Sequence, residues 1–331
     1  MNVAVVVAGS RTETLQAAPL IGALVAAGEG EVIFAVPQVS SELAGGFGDV
    51  SEVIPLPALG ERTFNITVPP AIAALRRRRI DAALVCSRRY RERVLAYVAG
   101  CARRVGPSAG ILDALLTSRV PVDLGENRSH LWLRLGEEVG VVPDGAPSGF
   151  SPPADARNAA EQILLGGGFE TGRLLVAIGP GAGYGTGAEG FTPAQLRWDG
   201  ERYAHLANQI GHRHGAGIVV LGEAGDREIV DAMLLDIEAD WLDLTGRLSI
   251  LEAAAVVQRC DLVVSGDTPL LHVAAAVGTP SIGIFGPTDG RRRGPWGPEH
   301  RVVQGLLGRS GEGPLERVRV DDVLAWIESA L

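Results

Sequence analysis

Short runs of β-branched and small apolar residues alternate along this chain with longer segments of helical periodicity, and that alternation constrains the fold most. In the first half "VAVVVA" (3–8), "EVIFAV" (31–36) and "AALVC" (82–86) are too short for buried helices. They are also too uniformly apolar for strands with one wet face, so they predict strands buried on both faces of a parallel sheet. The second half repeats the rhythm with "RLLVAIG" (173–179), "GIVVLG" (217–222), "DLVVSG" (261–266) and "SIGIFG" (281–286). Between the runs lie helical patterns such as "TLQAAPLIGALVAAG" ending at Gly28, "RERVLAYVAG" ending at Gly100, "REIVDAMLLDIEA" and "ILEAAAVVQRC". Parallel neighbours need long crossovers, and these are right-handed, so the pattern predicts an α/β chain of doubly wound sheets.

At 331 residues the chain exceeds one ordinary hydrophobic core. The stretch "VVPDGAPSGFSPPADA" (141–156) is its best linker, being rich in Pro, Gly, Ser and Asp. Two Rossmann-like domains are therefore expected, 1–150 and 151–318. A C-terminal amphipathic helix, "RVDDVLAWIESAL" (319–331), follows and is left open to cross back to the first domain. Ligands of such sheets bind at the carboxyl ends of the strands, which makes the cleft between the domains the expected site.

The net charge of −9 argues against nucleic acid as a partner. Every basic residue is an arginine, so no lysine is present to hold a phosphate or act as a base. The first 150 residues carry about 15 arginines against about 15 acidic groups, and the negative balance lies in the remainder. Much of the positive charge sits in "RRRR" (Arg76 to Arg79) and "RRYRER" (Arg88 to Arg93), read either as solvated helix faces or as an acceptor site for an anionic substrate. Three scattered cysteines (Cys86, Cys101, Cys260) form neither a disulfide framework nor a metal motif, which predicts a reducing, cytoplasmic setting. No apolar stretch reaches the roughly 18 residues of a membrane span, and "MNVAVVVAGS" reads as a first strand rather than a leader.

The richest stretch is "SGDTPLLHVAAAVGTPSIGIFGPTDG" (265–290). Thr268 is a good N-cap, Pro269 suits the first helical position, Gly278 suits a left-handed stop, and Thr268 and His272 share one face. The amino end of that helix is expected to favour an anion at a sheet's carboxyl edge. Asp267 would repel phosphate there, so it is expected to meet hydroxyls or to orient a neighbour. A second loop of this type, "GPGAGYGTG" (179–187), follows a strand directly and lacks the Walker lysine.

The stretch "GDTPLLHVAAAVGTPSIGIFGPTD" resembles the signature of the family 9 glycosyltransferases, the heptosyltransferases of lipopolysaccharide core synthesis. That signature runs Asp-Thr-Gly-x-x-His-x-Ala-Ala-Ala-x-Gly-x-Pro and continues into Phe-Gly-Pro-Thr. "PGAGYG" is similar to the family's Pro-Gly-Ala loop, "RWDGERYAHLA" to its Arg-Trp-Pro helix start, and "LTGRLSILEAAAVVQRCDLVVSGDT" to its nucleotide-side segment. "RRRRIDAALV" and "CARRVG" match softer patterns in the first domain.

The resemblance implies a GT-B fold, two Rossmann-like domains facing a cleft, and inverting, metal-independent sugar transfer from a nucleotide diphosphate such as ADP-heptose. No cofactor is implied. Aligning "VVVAGSRTETLQAAP" on the family's Gly-Asp…Pro start makes Glu13 the catalytic base, with first-turn support of its own helix as the competing role. The donor residues that carry over are Gly181, Ala182, Gly183, Tyr184, Arg197, Asp226, Gly246, Asp267, Thr268, Leu270, Leu271 and His272. Asp226 is the candidate for the nucleoside ribose, with Glu223 and Glu228 as close competitors. Arg76, Arg88, Arg89 and Arg91 are the candidates for an anionic acceptor, a glycolipid or a phosphorylated small molecule. A peripheral membrane contact is left open. The remaining histidines (His130, His205, His212, His214, His300) read as surface residues.

Three departures from the pattern matter. Pro269 stands where the family has Gly, removing a backbone donor. Gln195 and Leu196 stand before Arg-Trp, where the family carries a phosphate-binding lysine, leaving Arg197 or one of Arg291 to Arg293 as the replacement. Thr12-Glu13 stands for Gly-Asp, so a longer side chain must sit further back. Three alternatives stay open: transfer to a natural-product or nucleotide acceptor, a non-catalytic nucleotide-sugar binding protein, and a nucleotide-sugar epimerase of the same fold.

Overall fold

The computed structural model describes residues 1–7, 9–28, 30–56, 69–123, 125–142, 148–182, 191–306 and 315–330. The chain divides into two compact units, Met1–Ser151 and Pro152–Leu331. Among the described residues of the first unit, the strands are β1 (Val3–Val7), β2 (Val32–Pro37), β3 (Glu52–Leu56), β4 (Ala82–Cys86), β5 (Arg103–Pro107) and β6 (Ser118–Val120). They form one parallel sheet in the order β3-β2-β1-β4-β5-β6. The helices are α1 (Arg11–Leu15), α2 (Ala18–Ala27), α3 (Pro69–Arg77), α4 (Tyr90–Val98) and α5 (Arg128–Glu137). The single helical pattern expected up to Gly28 is broken at Gln16 and Ala17. Pro19 has no N–H to give the carbonyl four residues back, so a new helix begins there, with Pro near its start.

In the second unit the strands are β7 (Leu175–Gly179), β8 (Gly217–Val220), β9 (Trp241–Asp243), β10 (Leu262–Gly266), β11 (Ser281–Phe285) and β12 (His300–Gln304). They too are all parallel, in the order β12-β11-β10-β7-β8-β9. The helices are α6 (Ala154–Gly166), α7 (Pro193–Leu196), α8 (Gly200–His214), α9 (Arg227–Leu234), α10 (Ile250–Arg259), α11 (Pro269–Val277), α12 (Gly290–Arg293) and α13 (Val320–Ala330).

Val176 and Ile178 of β7, Leu262 and Val264 of β10, and Ile282 and Ile284 of β11 turn one face of this sheet toward Tyr203, Leu206 and Ile210 of α8 and Met233 of α9. On other surfaces α10 packs between α6 and α11, and α11 lies on β10 and β11. Covering of both faces explains why the central strands are continuous apolar runs. Helix α13 adds Val323, Leu324 and Ile327 to this same core, so it packs within the second unit, where the sequence left a return to the first domain open. No described helix is long and apolar enough to cross a membrane.

Both sheets have the order in which successive crossovers leave one strand in opposite directions. The reversal falls between β1 and β4 in the first unit and between β7 and β10 in the second. At such a point the two adjacent strand ends send their loops apart, leaving a crevice at the carboxyl edge.

Candidate functional site

The crevice of the second sheet is built from the ends of β7 and β10. A Cβ on Gly266 would sit 3.5 Å from the carbonyl oxygens of both Gly181 and Leu196, so three backbone segments converge there. Ser265 and Thr268 tie them together. The Ser265 hydroxyl donates to the Gly179 carbonyl (3.0 Å) and is 2.9 Å from the Thr268 hydroxyl. Ser265 has one proton, so Thr268 donates to it, while Thr268 Oγ1 accepts the Leu270 N–H at 3.2 Å. Thr268 is thus the N-cap of α11 and Gly278, at φ 79°, ends it, as the sequence predicts. Pro269 brings no N–H and the cap takes that of Leu270. Of the first three helical positions only Leu271 keeps an uncommitted amide for a ligand, a thinner anion site than a bare helix terminus provides.

Asp267 does orient a neighbour. Its carboxylate receives Arg293 Nε at 2.6 Å and Nη2 at 3.3 Å, a two-pronged contact with both side chains largely buried. On the other flank, Asp226 lies under Gly181, where an added Cβ would be 2.3 Å from its carboxyl carbon. Asp226 is buried, accepts the Glu223 N–H at 3.0 Å, and meets Arg197 Nη2 at 3.3 Å. Gly246, at φ 69°, closes the next loop by donating to the Gly222 carbonyl (2.9 Å), with Ala224 packed where its side chain would be. Ala182 is buried beside Gly181, and Leu270 lies against Gly179.

The structure therefore gathers Gly181, Ala182, Arg197, Asp226, Asp267, Thr268 and Leu270 at one carboxyl edge, with Gly246 at its β8–β9 side. Leu271 is different: it is fully buried against Gly283 of β11 and serves the core. His272 is buried one turn inside α11. Gly183 and Tyr184 lie outside the described residues.

In the first unit Glu13 stands in the turn after β1. With Ser10 it forms a reciprocal cap: Glu13 N donates to Ser10 Oγ (3.3 Å), and Glu13 Oε2 accepts the Ser10 N–H (3.0 Å). Glu13 Oε1 is 3.6 Å from Arg128 Nη1 at the start of α5. The longer side chain thus folds back on its own turn, and Gly9 (φ 119°) leaves the space it enters. Glu13 keeps 23% of its side chain exposed, so the carboxylate is held in one orientation without being sealed off.

Arg88 and Arg89 are exposed at the end of β4, the strand beside β1, and Arg91 stacks on Tyr90 in the first turn of α4. These three share the carboxyl edge with Glu13. Arg76 does not. It ends α3 and donates to the Val98 carbonyl at the end of α4 (2.8 Å), at the opposite edge of the sheet. Arg78 likewise pairs with Glu52 and Glu31 where β3 and β2 begin.

Sequence reasoning missed two buried groups. Arg93 belongs to a charge run read either as a solvated face or as an acceptor site, yet it is fully buried, donating to Asp113 and to the Pro107 carbonyl (both 2.6 Å). Hydrogen bonds from Ser108, Ala109 and Arg93 hold the Asp113 carboxyl well below the usual range. Glu92 is buried beside Ser87, whose hydroxyl donates to it at 3.2 Å, and burial pushes its carboxyl up against the pull of Ser87, Arg89 and Arg91. The signal available was position: both follow a buried strand at its ligand-facing end. His300, expected at the surface, is 4% exposed at the side chain and bonds Ser281 Oγ through Nδ1 (2.9 Å).

Residues 171–312, the span holding the second crevice, match the family model Glycosyltransferase family 9 (heptosyltransferase). The lipooligosaccharide heptosyltransferase 2 of Haemophilus influenzae is 26% identical over 274 residues, covering 80% of this chain and 75% of that protein. The crystal structure of the glycosyl transferase family 9 protein from Veillonella parvula aligns with a TM-score of 0.82 at 18% identity, covering 99% of this chain and 96% of that one. The E. coli ADP-heptose LPS heptosyltransferase II aligns with a TM-score of 0.76 at 20% identity, covering 100% of this chain and 98% of that one. Two doubly wound sheets in the GT-B manner, with these relatives, define the class: the protein is an enzyme, a glycosyltransferase. Within that class it resembles the heptosyltransferase-like members of glycosyltransferase family 9, whose model its second half matches.

Proposed function

We propose that this chain transfers a heptose from ADP-heptose to a hydroxyl of an anionic lipopolysaccharide-core glycolipid, with inversion and without a metal ion. The observation that carries the donor half is the pairing of the Gly179–Gly181 turn with the capped start of α11 across the strand reversal of the second sheet. The named substrates of the relatives, ADP-heptose and lipopolysaccharide, support the choice of donor and acceptor.

In this reading the Glu13 carboxylate accepts the proton of the acceptor hydroxyl. The freed oxygen attacks the anomeric carbon of the sugar, the bond from that carbon to the phosphate oxygen breaks, and the nucleoside diphosphate leaves. One displacement inverts the anomeric centre. Ser10 and Arg128 fix the carboxylate's direction, which is what a general base needs first. Arg88, Arg89 and Arg91 are the acceptor-binding cations of this reading, and Arg76, at the far edge, is not among them.

The test is a melting-temperature screen of ADP-, GDP-, UDP- and dTDP-sugars, since a ligand of the folded state alone raises the midpoint by mass action. ADP-heptose is expected to give the largest rise, and Glu13→Gln to keep that rise while losing product formed on a core glycolipid acceptor. No rise with any nucleotide sugar, or full transfer by Glu13→Gln, overturns the reading.

A further inference from the structure

The second crevice is well formed for a diphosphate but short of the usual donors for one. Its helix terminus has lost one amide to Pro269 and commits another to the Thr268 cap, and a buried leucine, Leu196, precedes Arg197. A doubly phosphorylated ligand held by so few amides needs cations, and two guanidinium groups reach the convergence of Gly181 and Gly266 from opposite sides. Arg293 arrives through Asp267, the residue after Gly266. Arg197 arrives through Asp226, whose carboxylate is packed on Gly181, and its own backbone follows Leu196, whose carbonyl faces Gly266.

The two aspartates resolve the apparent conflict of acidic groups beside a phosphate site. Each neutralises its arginine, and the two-pronged contact of Asp267 also fixes the plane of the Arg293 fork, which lysine could not use in this way. Asp267 receives Arg293 through Nε and Nη2, one edge of the guanidinium. Among the described residues Arg197 Nε is buried without a hydrogen-bond partner, a donor left costly until a further group takes it.

We propose that Arg197 and Arg293, each aimed by a buried aspartate, form a two-armed clamp that binds the diphosphate of the donor from both sides and replaces the missing lysine. The inference rests on the donor-site reading above. It makes Arg197 and Arg293 binding residues and Asp226 and Asp267 positioning residues.

The experiment is calorimetric titration of the full chain with the nucleoside diphosphate that wild type binds best among ADP, GDP, UDP and dTDP, and with its parent nucleoside. Arg197→Met and Arg293→Met are each expected to weaken the diphosphate about tenfold or more, the loss of a charge-assisted contact, and to leave the nucleoside within about twofold. Arg293→Lys restores part of the loss, because charge returns without the fork. Asp267→Asn weakens the diphosphate selectively as well, since the arm loses its aim. Circular dichroism and unliganded melting points establish that each variant folds. Equal weakening of diphosphate and nucleoside would make the arginines braces of the loop and overturn the clamp, as would unchanged diphosphate affinity. A wild type that binds none of the four diphosphates overturns the donor-site reading itself, a result distinct from variants that match a binding wild type.

Discussion

Replacing Gly9 by alanine isolates the orientation of Glu13 from its chemistry. A Cβ at Gly9 would lie 1.4 Å from Glu13 Oε2 and 2.6 Å from its carboxyl carbon, where ordinary contact begins at 3.4 Å. Glu13 must therefore withdraw that oxygen by about 2 Å, abandoning the Ser10 N–H at 3.0 Å and the approach to Arg128. Misplacing a reacting group by about 1 Å costs on the order of 100-fold in rate, so kcat should fall by at least that factor. Donor affinity should not change, because its residues lie in the other unit. The positive φ of Gly9 adds backbone strain of about 1–2 kcal/mol, which corresponds to a Tm lower by several degrees, so rates are compared well below the transition. Release of nucleoside diphosphate under saturating donor and acceptor reads kcat directly. The double variant Gly9→Ala/Glu13→Gln closes a thermodynamic cycle. If Gly9→Ala acts through Glu13, the double variant is no slower than Glu13→Gln alone. Wild-type kcat in Gly9→Ala, or two losses that multiply in the double variant, refutes the reasoning.

His300 gives a pH signature. Burial pushes its imidazole down to about 4, with Glu299 opposing and Arg301 reinforcing the shift, against about 6.5 in the unfolded chain. The unfolded chain then takes the proton first, so the stability is fully present above pH 6.5 and is lost as pH falls from 6.5 through 4. Between pH 7 and pH 4.5 the difference amounts to about 2 kcal/mol, read as urea midpoints, and His300→Gln should flatten that dependence; an unchanged slope would assign it to other groups. The arginine runs separate by edge: Arg88→Ala should raise the acceptor KM severalfold, whereas Arg76→Ala, at the opposite edge, should leave it unchanged in the same steady-state assay. A raised KM in Arg76→Ala would move the acceptor site away from the β1–β4 crevice.

The central strands were legible because two covered faces demand continuous apolar runs, as in Val3–Val7 and Leu262–Gly266. Strands that escaped sequence reading are mostly marginal ones in the sheets. β3 and β6 close one sheet, β9 and β12 the other, and β5 lies next to an edge. An outer strand is partly solvated, so "EVIPL" tolerates Pro55, "HRVVQ" carries polar residues at both ends around only two valines, and "WLD" and "SRV" are too brief to show a period. The cap, first-position proline and glycine stop of α11 were legible for the opposite reason: each acts locally, within a few residues. The partners of Asp267 and Asp226 were not. Arg293 is 26 residues from Asp267 and Arg197 is 29 from Asp226, and only the sheet order brings them together.

That long-range pairing follows a rule that the absence of lysine makes visible. Four buried or nearly buried aspartates hold an arginine among the described residues: Asp113 with Arg93, Asp226 with Arg197, Asp243 with Arg227 and Asp267 with Arg293. All four aspartates stand at or just after the carboxyl end of a strand, namely β5, β8, β9 and β10. An ammonium could swing on its stem toward whatever anion arrives, but a guanidinium binds well only when its plane is already set. A chain whose only strong cations are arginines therefore has to supply the setting group, and the ligand-facing edge is where that need is greatest. The same logic separates the pairs. Arg93 is fully enclosed and serves to fasten the loop after β5, whereas Arg197 and Arg293 keep 21% and 16% of their side chains accessible. Enclosure makes the first a structural brace, and partial access beside Gly181 and Gly266 makes the other two the arms of a site.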